Sequence, residues 1–224
     1  YYAIGLNLYA LFASKKDTLP GSKWLNKKDT LARMPALTGK LHGSVLYYDG
    51  QLDDARYALA LVQTAHKTGA TVVNHAELTA FEKNSNGQLL AATITDRLSG
   101  NCHRIQAKVF LNCTGPYSDA VRLMANPDAE PRIRPSKGVH AVLPFSVLNS
   151  EDALLIPKTR DGRVVFAVPF EGQVLLGTTD DEYKDVDTEP TINRAEIDYL
   201  LETLEPYLAQ KTLPSSVKSG FGGL

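Results

Sequence analysis

The chain has 224 residues, 43% hydrophobic and 22% charged, ordinary proportions for a soluble globular protein of one large domain or two small ones. With 24 Lys and Arg against 25 Asp and Glu the net charge is −1, which argues against a general nucleic-acid binder but allows a local cationic pocket for an anionic metabolite. No run approaches the roughly 20 apolar residues that span a bilayer. The two cysteines, Cys102 and Cys113, lack zinc-site spacing and read as buried or half-buried thiols in a reducing compartment.

In chain order, Ile4, Leu8, Leu11 and Phe12 recur at helical spacing within Tyr1–Ala13, a segment without the charged lead or cleavage pattern of a signal peptide. Residues 15–22 read as a loop. Asn26–Met34 reads as a short helix stopped by Pro35, and Ser44–Tyr48 as a strand turned by Asp49-Gly50. Asp53–Thr68 is a helix capped by Asp53 or Asp54 and ended by Gly69, with Ala55, Leu59, Val62 and Ala65 as its expected buried stripe. Thr71-Val72-Val73-Asn74 then predicts a short buried strand. Glu77–Lys83, Leu89–Asp96 and His103–Ala107 alternate with period two between Asn-Gly and Ser-Gly-Asn turns, which predicts a β-meander. It leads into an expected strand at Val109–Asn112, the Thr114-Gly115 turn, and a short helix over Tyr117–Ala125 opened by Pro116. Beyond Pro135, Val139–Leu143, Leu154–Ile156, Val164–Phe170 and Val174–Leu176 are short strands between turn signals, so an antiparallel sheet is expected. Ile192–Leu208 is a second helix, with a cap pattern at Asn193–Glu196. The fold class is therefore α/β plus α+β: a nucleotide-binding layer carrying an antiparallel substrate sheet.

Three polar clusters interrupt apolar strands. At Thr114-Gly115 the missing Cβ lets backbone approach a flavin or pyrophosphate, although a plain strand-to-helix turn looks the same. In Ser136-Lys137-Gly138-Val139-His140, the imidazole can bond a substrate hydroxyl or take its proton near neutral pH, or simply satisfy a backbone carbonyl; Lys137 can meet a bound anion or be solvated. In Gly177-Thr178-Thr179-Asp180, a glycine and two hydroxyls admit a polar ligand and Asp180 can orient it, while Asp181-Glu182 reads as a solvated loop. No metal-ligand spacing, Walker A loop or G-x-G-x-x-G is present, so either the Thr114-Gly115 turn binds no nucleotide or the phosphate loop lies before residue 1.

Tyr48-Asp49-Gly50-Gln51-Leu52-Asp53-Asp54-Ala55-Arg56, Asn112-Cys113-Thr114-Gly115-Pro116-Tyr117, Lys137-Gly138-Val139-His140, Asp161-Gly162-Arg163-Val164-Val165-Phe166-Ala167-Val168-Pro169 and Gly177-Thr178-Thr179-Asp180, in this order, resemble the FAD-dependent (respiratory) glycerol-3-phosphate dehydrogenases over nearly the whole chain. The resemblance implies a central fragment of a larger flavoenzyme, without its N-terminal FAD phosphate-binding motif and C-terminal part, and inactive by itself. It divides the chain into a helical lead-in (1–41), a partial Rossmann-like FAD-binding domain with a β-meander crossover (42–134), and an incomplete antiparallel substrate domain (135–224). It implies that Val73, Thr114 and Gly115 lie near FAD, that His140 is the base or hydroxyl partner, and that Lys137, Arg163, Thr178, Thr179 and Asp180 bind substrate. Arg163 has the alternative of stabilising the Asp161-Gly162 turn. The implied reaction oxidises sn-glycerol 3-phosphate to dihydroxyacetone phosphate and passes electrons to a quinone. The parent would be cytoplasmic and peripheral to the inner membrane, or at the mitochondrial inner membrane in a eukaryote, with a homodimer allowed. An oxygen-using glycerophosphate oxidase or amine-oxidase-like flavoenzyme is the nearest alternative, and a non-catalytic α+β binding module the more distant one.

Overall fold

The structure, a computed structural model, describes residues 20–224; the helix expected within Tyr1–Ala13 lies outside them. The elements in chain order are β1 (Lys23–Asn26), α1 (Lys27–Arg33), β2 (Gly43–Leu46), α2 (Asp54–Lys67), β3 (Ala76–Lys83), β4 (Leu89–Asp96), β5 (Cys102–Gln106), α3 (Ser118–Ala125), β6 (Ser136–Pro144), β7 (Leu154–Ile156), β8 (Val165–Phe170), β9 (Gln173–Gly177), β10 (Asp181–Glu182), α4 (Arg194–Leu204) and β11 (Ser219–Gly223). They form two compact units, one of residues 51–134 and one combining residues 20–50 with 135–224.

The second unit is built on a six-stranded antiparallel sheet. Its order is β10-β6-β9-β8-β7, with β11 also paired to β6. Burial alternates along β6: Val139, Ala141 and Leu143 are fully buried, while Gly138, His140 and Val142 are half-buried. That period-two pattern puts one face of the sheet against a core and leaves the other open. The core adds Val165, Ala167, Val174 and Leu176 from the neighbouring strands and Leu200, Leu201 and Leu204 from α4. Each fully buried Leu or Val contributes about 1.5–3 kcal/mol relative to exposure. Helix α4 starts with a capping box: Asn193 Oδ1 accepts from Glu196 N (3.0 Å) and Glu196 Oε2 accepts from Asn193 N (2.8 Å). It ends before the 3₁₀ turn Glu205–Tyr207, earlier than the expected Leu208, because Pro206 has no N–H to continue the ladder. Helix α1 is capped by Asn26, and Met34 at its C-terminal end joins the core; Thr38 N and Ala36 O bond to Tyr207 O and Ala209 N. Strands β1 and β11, absent from the expected elements, pair with β2 and β6.

The first unit holds the β3-β4-β5 meander, in the expected order. The Asn84–Gly87 turn is closed by Asn84 N to Gln88 O and Gly87 N to Asn84 O, each 3.0 Å. Asp53 caps α2 by accepting from Arg56 N at 3.0 Å. Four expectations are corrected here. The α2 stripe is not buried, since Leu59 and Val62 are 57% and 46% exposed. Thr71–Asn74 and Val109–Asn112 form no ladder, and Val73 is 67% exposed. Both cysteines are exposed, Cys102 lying on β5, an edge strand accessible along its whole length. One cause underlies all four: a stripe or strand is buried only when another layer lies on it, and none of the described residues supplies that layer.

Candidate functional site

On the open face of the sheet, strand register lines up Phe221 (β11), His140 (β6), Gly177 (β9) and Phe166 (β8) as direct cross-strand neighbours. The His140 ring stacks on Phe221, with centroids 5.1 Å apart and planes 12° from parallel. On the other side it extends across Gly177: a Cβ there would lie 2.4 Å from Cδ2 and 2.7 Å from Nε2 of the imidazole. Glycine is needed at 177 for this close approach. Phe221 had no sequence signal, because its strand, Ser219-Gly220-Phe221-Gly222-Gly223, is mostly glycine.

Below this row the ladder slips. His140 faces Gly177 but Lys137 faces Asp181, so Thr178, Thr179 and Asp180 span a stretch with one extra residue, a bulge. Thr179 is buried and bridges the slip with its hydroxyl, which accepts from Val139 N (3.2 Å) and donates to Lys137 O (3.3 Å). Thr178 is half-buried and donates to Thr179 O at 3.0 Å; Asp180 is exposed. The residues expected to be a solvated loop, Asp181-Glu182, form β10 instead, because the ladder resumes once the bulge has been absorbed.

Two cations expected to meet substrate have partners within the fold. Lys137 is nearly buried; its Nζ lies 2.6 Å from Glu196 Oε1 and 3.2 Å from Thr191 O, and 5.8 Å from the Tyr183 ring centre. Arg163 bridges Asp161 and Asp181 at 2.9 Å each, 5.7 Å from the Tyr199 ring centre. The Asp181 carboxylate raises the Arg163 pKa further above its ordinary value. Asp161 accepts from the hydroxyls of Thr159 and Tyr199, and these bonds, Thr159 first, hold its carboxyl below the usual range. The arrangement ties the β7–β8 turn to β10. Glu196, Asp181 and Tyr199 were missed as members of this polar system, because their partners are 18 to 59 residues away in sequence (the farthest pair being Lys137 and Glu196).

In the first unit, Thr114 is exposed and donates its hydroxyl to Asn112 Oδ1 at 2.7 Å, leaving its oxygen able to accept. Gly115 has φ +56°, a left-handed conformation, and nothing lies within 4 Å of where its Cβ would be. A 3₁₀ turn at Gly115–Tyr117 leads into α3. Asp119 in the first turn of α3 accepts from the N–H groups of Ile133 and Arg132, both at 2.6 Å, and these bonds lower its pKa. Thr114, the open side of Gly115 and Val73 are each accessible.

The profile of the FAD dependent oxidoreductase family matches residues 5–224. The chain is 38% identical over 228 residues to a probable mitochondrial glycerol-3-phosphate dehydrogenase of Caenorhabditis elegans, covering 100% of this chain and 31% of that protein. It is 36% identical to the mitochondrial glycerol-3-phosphate dehydrogenase of Arabidopsis thaliana, again covering 100% of this chain and 36% of the relative. It therefore spans about a third of the length of these curated relatives. The solved glycerol-3-phosphate dehydrogenase of Bacillus halodurans complexed with FAD superposes with a TM-score of 0.79 at 29% identity, over 92% of this chain and 44% of that one. A profile match that runs through both units to the last residue settles the family: the chain belongs to the FAD dependent oxidoreductases.

Proposed function

We propose that this chain is the central part of a longer FAD-dependent glycerol-3-phosphate dehydrogenase that converts sn-glycerol 3-phosphate to dihydroxyacetone phosphate and delivers the electrons to a quinone. Its likeness over the whole chain to relatives bearing that name supports the substrate. The observation that carries the chemistry is His140, a half-buried imidazole on the open sheet face with a bare glycine beside it. FAD, when bound, supplies the acceptor for the hydride of the substrate alcohol carbon. His140 takes the hydroxyl proton, which compensates the negative charge developing on that oxygen. Thr178 and Asp180, at the bulge three residues or fewer beyond Gly177, orient the polar end of the substrate. Val73, Thr114 and Gly115 contact the flavin. Lys137, Thr179 and Arg163 maintain the strand ends through their internal partners. The complete protein is mitochondrial, in keeping with the names of its relatives. It works as a peripheral protein of the inner membrane and forms a homodimer, and the isolated chain is inactive.

The test is to prepare the complete FAD-loaded protein and add sn-glycerol 3-phosphate anaerobically. Bleaching of the flavin band is expected. His140→Asn should slow the bleaching by about 100-fold or more with flavin content unchanged. An unchanged spectrum in flavin-loaded protein overturns the substrate, and a native rate in His140→Asn overturns the proton acceptor. Reoxidation by a soluble quinone supports the acceptor; reoxidation by oxygen alone makes the protein an oxidase.

A further inference from the structure

We infer that Phe221 and Gly177 are positioning residues that together hold the His140 imidazole in one orientation on the open face of the sheet. The inference deepens the reading of His140 as proton acceptor and rests on it.

The three residues come from three different strands and meet only because β11 and β9 flank β6 in this register. Direct cross-strand neighbours on one face are close enough for their side chains to set each other's rotamers. On the β9 side the ring occupies the space a Gly177 side chain would take, with Cδ2, Nε2 and Cγ at 2.4, 2.7 and 2.8 Å from the position of that Cβ. On the β11 side, Phe221 lies nearly parallel to the imidazole at 5.1 Å, in the range of a stacked aromatic pair. The ring thus has room in one direction and a flat wall in the other. Tilting it meets Phe221, and any larger residue at 177 would evict it. Phe221 is itself 49% exposed, so it contributes little to the core, and its side chain acts on the ring beside it. An imidazole that must meet a substrate hydroxyl gains rate from being held in place, since a displacement of about 1 Å costs up to roughly 100-fold.

The experiment uses the complete FAD-loaded protein with ¹³C-labelled histidine, and compares Phe221→Leu, Phe221→Tyr and Gly177→Ala with the native enzyme. Leucine keeps an apolar side chain on the edge strand but removes the ring. In Phe221→Leu the His140 CH resonances should lose their upfield ring-current displacement. Flavin reduction at saturating glycerol 3-phosphate should fall about tenfold to 100-fold, with the apparent Kd for substrate largely unchanged. Phe221→Tyr should restore both readouts, which a purely structural role for a half-exposed edge residue does not require. Gly177→Ala should displace the ring and reproduce the loss. His140 resonances in Phe221→Leu identical to those of the native protein overturn the inference. A native reduction rate in both Phe221→Leu and Gly177→Ala also overturns it, because loss of the Phe221 ring moves the resonances even where the imidazole stays in place. If glycerol 3-phosphate fails to reduce even the native protein, the substrate reading falls, while the His140 resonances in Gly177→Ala, which keeps the Phe221 ring, still decide the positioning.

Discussion

Replacing Glu196 by Gln isolates one charge without disturbing the helix it helps to start. The Glu196 carboxylate does two jobs: Oε2 closes the capping box on Asn193 N, and Oε1 meets Lys137 Nζ at 2.6 Å. Glutamine can still accept from Asn193 N, so the cap survives. The ion pair does not. Both side chains are nearly buried, 11% exposed for Lys137 and 10% for Glu196, so little solvent is present to screen the ammonium left behind. Removing one partner of a buried pair costs about 3–5 kcal/mol, because the remaining charge is uncompensated. At roughly 3 °C per kcal/mol for a unit of this size, Glu196→Gln should lower Tm by on the order of 10 °C. Differential scanning calorimetry of the complete protein reads this directly. The double variant Lys137→Met with Glu196→Gln removes both charges and should recover most of the loss. Arg194→Ala, which breaks the exposed Arg194–Asp198 pair, should stay within about 1 kcal/mol of the native protein. A loss below about 1 kcal/mol for Glu196→Gln, or a double variant no more stable than the single, would refute the assignment of Lys137 to an internal pair and return it to the substrate site.

Thr179→Val preserves shape but leaves Val139 N without its acceptor and Lys137 O without its donor, so chemical denaturation should show a loss of about 1–3 kcal/mol. Leu204→Ala, at a fully buried position of α4, should cost about 2–5 kcal/mol by the same measurement, the cavity adding to the lost transfer energy. Asp119 and Asp161 both have lowered folded-state pKa values, from backbone N–H bonds at Asp119 and from the Thr159 and Tyr199 hydroxyls at Asp161. Their stabilisation is therefore present above the ordinary carboxylate pKa of about 3.9 and lost as pH falls through the lowered values. Asp119→Asn and Asp161→Asn should each flatten the acid limb of a Tm-against-pH profile; an unchanged limb in both removes the argument.

Local chemistry made much of the chain legible. The meander was readable because period-two alternation and Asn-Gly turns specify it with neighbours close in sequence. The capped helices were readable because Asp53 and Asn193 act within one turn. The glycine-rich strand β11 was not, since its residues disfavour strands on propensity and are there for close approach: a Cβ at Gly220 would come within 2.5 Å of Ile192 Cγ2. Nor was the exposure of Leu59, Val62 and Val73 visible, because an apolar pattern announces a face and does not say whether anything lies on it.

The candidate residues divide in the same way. Lys-Gly-Val-His and Gly-Thr-Thr-Asp marked polar chemistry at strand ends, and the order of the motifs marked the flavoenzyme family. Sequence determined which groups were available, because residue type, turn chemistry and periodicity act over a few neighbouring positions. The tertiary structure decided which groups meet. Strand register placed His140 between Gly177 and Phe221, and tertiary packing buried Lys137 against Glu196 and set half-buried Arg163 between two carboxylates. Those pairings depend on which strands lie side by side, and that follows from how the whole sheet satisfies its backbone hydrogen bonds and buries its apolar face.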